Sequence, residues 1–343
     1  MNTVSETVCV SAMRRGGPQV LQVRKVPMPQ PGPGEVRVRM LAAGVAFADI
    51  MLREGLYPVS LPWPRTTGYD IVGEIDATGP DVPPELPVGL RVAALTVHGS
   101  YARHRLLPAA DCVPVPQGVD PVPAVALVLN YLTAYQMLHR VASLDAGDTV
   151  LIHAAAGGVG TAVLDLARLS GIRVIGLASK GKHELVRQLG GEPIDYRHEN
   201  IDARVREMTD GRGVEAVLDA IGGKETQRAV RLIKPSGSVV SYGGLSMAKN
   251  GRMSLPGILR AVTGAKHSPI ALLTQSKTVG GYNVKTWMDQ RPAAYRKDLT
   301  QLMQWLAEGR IAPQVGKCIP LEQAALAQQL LGEGGSTGKL VLV

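Results

Sequence analysis

The sequence predicts an α/β protein in two parts, an all-β or barrel-like domain followed by a parallel sheet covered by helices on both faces. Three observations predict it. At 343 residues the chain is too long for one ordinary core. From Met1 to about Gln117, short runs of alternating apolar and polar residues are separated by Pro and Gly, as half-buried strands are. From Val122 to about Asn283, strand-like and helical runs alternate, which implies parallel strands with crossover helices.

In the first part the loop "PMPQPGPGE" breaks any helix and "EVRVRMLAAGV" alternates as a strand does. "DIVGEIDATG", "GLRVAAL" and "SYARHRLL" repeat the pattern. In the second part the strands are "TVLIHAA", "RVIGLAS", "EPIDY", "VEAVLDAIG", "SGSVVSYGG" and "KTVGGYN", with helical stretches such as "HELVRQLG" and "ETQRAVRLI" between them. A helix over "YRKDLTQLMQWLAEGRI", the strand "VGKCIPL", a helix over "EQAALAQQLL" and the strand "GKLVLV" follow. That last strand returns to one of the two sheets. The sequence contains no fixed-period repeat.

Composition narrows the function classes. Hydrophobic residues make up 45% of the chain, ample for two cores. The net charge of +8 is scattered and forms no basic stripe, so an anionic ligand is compatible and dedicated nucleic-acid binding is not expected. Cys9, Cys112 and Cys318 are far apart and read as reduced thiols of a cytoplasmic protein. The opening residues carry no secretion signal. The longest apolar run, "PAVALVLNYLTAYQML", is short and contains Asn130, so it reads as a buried helix without membrane insertion.

The stretch "VLIHAAAGGVGTAVLDLARLSGIRVIGLASKGKHE", Val150 to Glu184, carries the chemistry. Strand, glycine-rich turn and helix are the context of a dinucleotide site. Without a Cβ, Gly157 and Gly158 let the backbone approach a pyrophosphate, and Gly160 lets the helix pack close to the strand. The helix beginning near Val159 aims free N–H groups and its positive end at phosphate. The pattern is A-x-G-x-x-G, with Ala155 at the first position. An acid at the end of the next strand would bind a ribose 2′-hydroxyl. That place reads "LASKGK" instead. Two lysines at a turn are ordinarily solvated, but after the second strand Ser179, Lys180 and Lys182 suit a 2′-phosphate that a carboxylate would repel. The expected cofactor is therefore NADPH (NADP) rather than NAD.

"VLIHAAAGGVG", "NYLTAY", "SKGKHELVRQLGGEPIDYR", "GRGVEAVLDAIGG", "SVVSYGG" and "GKLVLV", together with "FADIMLREGLYP", recur in order along nearly the whole chain. With them the sequence resembles the zinc-free medium-chain dehydrogenase/reductases of the quinone oxidoreductase (zeta-crystallin-like) group, nearest the vesicle amine transport protein branch. The resemblance implies a GroES-like β-barrel domain over residues 1–121 and 311–343 and a Rossmann doubly wound parallel sheet over 122–310. It also implies a homodimer that pairs Rossmann sheets edge to edge.

Zinc-dependent relatives carry a Cys, a His-Glu pair and a second Cys at positions that here read Ala46, Tyr69, Asp70 and, near the third, Leu129 or Asn130. One carboxylate does not hold tetrahedral zinc, so no metal is expected. Without a Lewis acid an alcohol is hard to ionise, and a quinone or an α,β-unsaturated carbonyl is the easier hydride acceptor.

The resemblance places Ala46, Phe47, Asp49 and Tyr57 beside the nicotinamide and substrate, with "AFADIMLREGLYP" as one wall of the cleft. Tyr57 matches a family active-site Tyr and would hydrogen-bond a substrate oxygen as charge builds. Asp49 would organise the loop. Phe47, the only Phe in the chain, is either core packing or part of that wall. Ala46 departs from the Asn of many quinone reductases. Asn130 and Thr133 lie on the helix facing the nicotinamide side; Asn130 would bind its carboxamide or a neighbouring backbone carbonyl. Tyr196 matches the Tyr beside the adenosine phosphate, and Tyr242, Gly243 and Gly244 end the fifth strand by the cofactor. Gly281, Tyr282 and Asn283 match a strand-six contact with the nicotinamide, and Gly338, Lys339 and Leu340 match a closing segment over the cofactor. His153 reads as a packed strand residue. The function implied is an NADPH-dependent reductase of quinones or enones by direct hydride transfer. The alternative is a nucleotide-binding scaffold or regulatory protein with little turnover.

Overall fold

A computed structural model describes residues 5–57, 61–245, 248–249, 252–254, 256–257, 259 and 268–343. It divides into two compact units. The first comprises Met1–Leu129, Asn250–Arg252 and Met288–Val343; the second comprises Asn130–Lys249 and Met253–Trp287.

The first unit is built on antiparallel strands. β1 (Glu6–Ala12) lies between β2 (Leu21–Pro27) and the short β4 (Arg65–Thr66). A seven-stranded sheet is centred on β3 (Glu35–Val45) and β5 (Asp70–Thr78), with Gly44 opposite Asp70. β6 (Arg91–Leu95) and β8 (Val113–Pro114) continue it on one side. β7 (His104–Pro108) pairs with the first half of β3. On the other side β17 (Val315–Ile319) and β18 (Lys339–Leu342) complete it, with Leu340 opposite Val45. The expected return of the last strand is therefore to the barrel-like sheet. Val38, Ile71, Ile75, Tyr101 and Leu342 fill its interior, the inward half of the alternation read from the sequence.

The second unit is a six-stranded parallel sheet: β9 (Thr149–His153), β10 (Arg173–Ala178), β11 (Glu192–Asp195), β12 (Val214–Asp219), β13 (Ile233–Ser241) and β16 (Thr278–Gly281). Its order is β11-β10-β9-β12-β13-β16, that of a doubly wound Rossmann sheet, whose ligand crevice lies at the carboxyl ends of the strands where the order reverses. Here the reversal falls between β9 and β12. A small two-stranded ribbon joins β14 (Ala248–Lys249) to β15 (Arg252–Met253). The segment "SMAKNGRMSLPG", which by its sequence could cover the cleft or simply face solvent, lies partly outside the described residues.

Four helices matter for the site. α1 (Phe47–Arg53) follows β3. α2 (Pro121–Val141) has Pro in its first turn and Asp120 accepting from Val122 N, both helix-start signals. It widens into π-turns at Leu127–Tyr131 and Met137–Val141. By length and composition α2 could cross a membrane, yet 72% of its most apolar window is buried inside the protein. α3 (Gly158–Ser170) follows β9 and stops at Gly171, at φ 67°. α4 (His183–Gln188) follows β10.

The contact division differs from the expected limits of 122 and 310. The helix Pro292–Ala307 packs with the first unit: its Tyr295 hydroxyl donates to the carbonyl of Asp111 and accepts from Leu95 N. Nothing in that amphipathic stretch, read alone, says which sheet its apolar face meets.

Candidate functional site

The turn between β9 and α3 begins with strain. Ala154 sits at φ 55°, a left-handed conformation that costs an alanine roughly 1 kcal/mol. Gly157 N closes the turn on the Ala154 carbonyl at 2.8 Å. Gly160 is needed for packing, since a Cβ there would lie 2.3 Å from the Ala154 oxygen. Gly158 also has a packing reason to lack a side chain: a Cβ there would sit 2.3 Å from Asn130 Nδ2, so the glycine admits the carboxamide of a buried Asn from α2. Gly157 is the N-cap of α3 and no side chain caps that helix. Its first-turn N–H groups, with Val159 among them, therefore suit a phosphate.

At the reversal of strand order, His153 ends β9 and Asp219 ends β12, with Nδ1 and Oδ1 3.1 Å apart and both side chains buried. Burial raises the Asp219 carboxyl, but His153, the Thr226 hydroxyl and the Gly222 amide outweigh it and hold the pKa at about 2. His153 is thus a strand residue with a specific charged partner. Tyr242 N donates to the Asp219 carbonyl at 3.0 Å, which ties the start of "YGG" to β12. A Cβ on Gly243 would meet the Ala220 carbonyl oxygen at 2.7 Å, and Gly244 is buried.

After β10, Ser179 opens a 3₁₀ turn over Lys180–Lys182. Lys180 is exposed and Lys182 half-buried. Burial lowers the Lys182 pKa, and the charge of Arg197 lowers it further. Arg197 itself lies 5.6 Å from the ring centroid of Tyr196, which is 47% exposed. Ser179, Lys182, Tyr196 and Arg197 thus gather at one edge of the sheet, and a second phosphate would neutralise the mutual repulsion of the cations. Arg197 was not singled out in the sequence, although "DYR" contained it; only the fold brings it to Lys182.

Two residues expected at the nicotinamide have other engagements. Tyr282 is buried and its hydroxyl donates to Gln136 Oε1 at 2.8 Å. Asn283 Oδ1 accepts from Thr286 N at 3.0 Å and so starts the helix Val284–Gln290. Gly281 is exposed at the end of β16, and Thr133 is buried on α2.

In the first unit Asp49 is the organiser. Its Oδ2 accepts from Ala46 N at 2.8 Å and from the Tyr101 hydroxyl at 3.1 Å, and its Oδ1 accepts from Gly68 N at 2.7 Å. Complete burial pushes its carboxyl up to about 7 against the pull of those two amides. Gly68 has φ 109°, and a Cβ on it would meet Ser100 Oγ at 2.2 Å. Phe47 is half-buried at the first turn of α1. The half-buried Tyr57 has its hydroxyl 2.5 Å from that of Tyr69, with the rings edge to face. Tyr101 and Tyr69 are further polar residues of this site that the sequence did not distinguish from core aromatics.

Lys339 Nζ lies 2.8 Å from Asp70 Oδ2, and both side chains are almost fully buried. Gly44 makes room, because a Cβ there would lie 2.2 Å from both Asp70 Oδ1 and Lys339 Cε. The Lys339 ammonium is therefore held inside the barrel, Leu340 is a core residue, and Gly338 turns at φ 58° under the Gln314 carbonyl. Among the described residues no three of His, Cys, Asp and Glu cluster as metal ligands would.

A GroES-like antiparallel unit and a six-stranded doubly wound sheet with an uncapped glycine turn define a two-unit dehydrogenase/reductase. Residues 32–117 match the alcohol dehydrogenase GroES-like domain, and residues 189–342 match the zinc-binding dehydrogenase family. The chain is similar to the rat synaptic vesicle membrane protein VAT-1 homolog, 33% identical over 326 residues that cover 94% of this chain and 80% of the relative. It is similar to a quinone oxidoreductase of Pseudomonas aeruginosa, 34% identical over 331 residues that cover 96% and 97% of the two chains. Its fold matches a mycobacterial protein complexed with NADPH, with a TM-score of 0.84 and 28% identity over 98% of this chain and 99% of that one. The chain belongs to the medium-chain dehydrogenase/reductase superfamily, among its quinone oxidoreductase and VAT-1 homologues.

Proposed function

We propose that the chain is an NADPH-dependent reductase of quinones or α,β-unsaturated carbonyls that works without zinc. The observation that carries the reading is the cationic turn after β10, where Lys180 and Lys182 stand at the place a carboxylate would occupy in an NAD site, with Arg197, just past β11, near enough to act on Lys182. The NADPH complex of the mycobacterial neighbour and the name of the Pseudomonas relative agree with it. When bound, NADPH supplies a hydride. The first turn of α3 would hold the pyrophosphate, and Ser179, Lys180, Lys182, Tyr196 and Arg197 the 2′-phosphate. Tyr57 would donate a hydrogen bond to the substrate oxygen as negative charge builds there. Asp49 fixes Ala46 and Gly68, which flank the helix and the loop that carry this Tyr and its partner.

The zinc-free part of the reading rests on side-chain chemistry. Ala46 and Tyr69 offer no thiolate or imidazole, and the charge of Asp70 is already matched by Lys339. A homodimer is proposed as well. β16 is the outer strand of its sheet, with Thr278 and Gly281 exposed, and Ile270 and Leu273 just before it are 72% and 78% exposed. A cytoplasmic location is consistent with the three free cysteines.

A second reading, a nucleotide-binding scaffold with little turnover, is favoured by Ala46, which presents only a backbone N–H, already taken by Asp49. Spectrophotometric oxidation of NADPH with 9,10-phenanthrenequinone, naphthoquinones and 2-alkenals separates the two. Turnover with at least one acceptor is expected, with a clear preference for NADPH over NADH. NADPH binding without any oxidation above background would leave the scaffold reading standing, and a preference for NADH would remove the 2′-phosphate assignment.

A further inference from the structure

We propose that Asn130 is a phosphate-binding residue of the nucleotide site: its side-chain amide donates to the diphosphate that settles on the first turn of α3. The inference deepens the NADPH reading and rests on it. It departs from both partners foreseen for Asn130, the nicotinamide carboxamide and a neighbouring backbone carbonyl.

Three observations carry it. The first is an unmet amide. Asn130 is 6% exposed, yet its carboxamide makes no hydrogen bond among the described residues. A buried polar group without a partner is rare and costly. An apolar side chain would fill the space over Gly158 without that cost, so filling space does not account for an Asn.

The second is place. Gly158 opens α3, a helix of 13 residues with no side chain at its cap. A Cβ on Gly158 would lie 2.3 Å from Asn130 Nδ2, 3.0 Å from Cγ and 3.3 Å from Oδ1, so the donor nitrogen is the carboxamide atom nearest the turn. The N–H groups of that turn and the positive end of the helix favour an anion. The Asn130 amide adds a side-chain donor beside them.

The third is fixation. Asn130 lies in the π-turn Leu127–Tyr131 of α2, a kind of turn that recurs at functional sites. The next residue, Tyr131, donates to Asp165 Oδ2 at 2.7 Å, and Arg168 Nη2 donates to the other Asp165 oxygen at 3.1 Å. Asp165 stands about two turns beyond Gly158 on α3. α2 therefore meets α3 at two points, and the Tyr131 bond sets the orientation in which Asn130 presents its amide. Asn130, Tyr131 and α3 all belong to the second unit, so the arrangement is complete within it.

The test is calorimetric titration of the full chain as wild type, Asn130→Ala and the isosteric Asn130→Asp. Three probes divide the nucleotide: NADPH; 2′-phospho-ADP-ribose, which keeps the diphosphate and lacks nicotinamide; and adenosine 2′-monophosphate, which lacks both. Asn130→Ala should lose about tenfold in affinity for NADPH and for 2′-phospho-ADP-ribose alike, and Asn130→Asp should lose more, because a carboxylate repels phosphate. Adenosine 2′-monophosphate should bind all three proteins within about twofold of one another, since it does not reach the turn. In wild type carrying isotope-labelled asparagine, 2′-phospho-ADP-ribose should shift the Asn130 side-chain amide resonance and adenosine 2′-monophosphate should leave it in place. That readout needs no variant and holds even if a variant fails to fold. A loss confined to NADPH would put the amide at the nicotinamide. Equal losses with all three probes would mean a purely structural role, and unchanged affinities would mean no contact. Each of these outcomes overturns the proposal and leaves the NADPH reading intact. A wild-type protein that binds neither NADPH nor 2′-phospho-ADP-ribose overturns both.

Discussion

Two charged residues show how position decides what an ionisable group does. Asp49 is raised to about 7 because it is wholly buried, whereas Asp219 is held at about 2 because His153, Thr226 and Gly222 meet it. Between the unfolded value near 3.8 and about 7, folded Asp49 binds its proton more tightly than the unfolded chain does. Stability should therefore fall as pH rises through that window. Asp219 works in the opposite sense: its contribution is present above about 3.8 and is lost as pH falls toward 2. Urea midpoints measured from pH 4 to 8 should fall less steeply in Asp49→Asn than in wild type; parallel slopes would show that Asp49 titrates normally. At the cationic turn, Lys180→Ala with Lys182→Ala should weaken NADPH on the order of a hundredfold and NADH hardly at all. Equal losses for the two nucleotides in a fluorescence titration would mean that these lysines do not meet the extra phosphate.

The meeting of α2 with α3 explains both a success and a miss of sequence reading. The strand-turn-helix at 149–170 was legible because its three signals are local: an apolar run, small residues, then helical periodicity. The reason for Gly158 was not legible, because the Asn130 carboxamide that fills its place comes from a helix about thirty residues earlier. Gly158→Ala should destabilise the protein by about 1–3 kcal/mol through overpacking, and Asn130→Ala on that background should recover part of the loss. A double variant as unstable as the sum of the singles would show that the clash lies elsewhere. α1 gives the same lesson. Its start after β3 was visible, but the buried links that fix it were not. Arg53 donates to the Gln328 amide oxygen at 2.7 Å, and Gln328 Nε2 donates to Thr67 Oγ1 at 3.1 Å. These bonds span 275 and 261 residues, and no pattern over a short window contains them.

For the whole molecule, the alternation of strands and helices was enough to foresee two architectures, since periods of two and 3.6 residues are set by the backbone itself. What escaped was allegiance: the helix Pro292–Ala307 sides with the antiparallel unit through the Tyr295 hydroxyl and through Arg296, which donates to the carbonyls of Ala110 and Cys112. The metal question belongs to this scale too, because ligands would have to converge from several elements. Elemental analysis of the purified protein should find no stoichiometric zinc, and chelation should leave turnover unchanged; one zinc per chain, or a loss of rate on chelation, would refute the metal-free mechanism.

β18 lies between β3 and β17, and its Lys339 is the counter-ion of Asp70. During synthesis, everything from β1 to β8 leaves the ribosome more than two hundred residues before that strand exists. Until then the nascent barrel waits with the Ala43–Val45 end of one flank of β3 unpaired and a carboxylate facing inward without its cation. A chaperone, or the chain's own provisional collapse, must shelter that flank, so the emergence of β18 is the event that seals the domain.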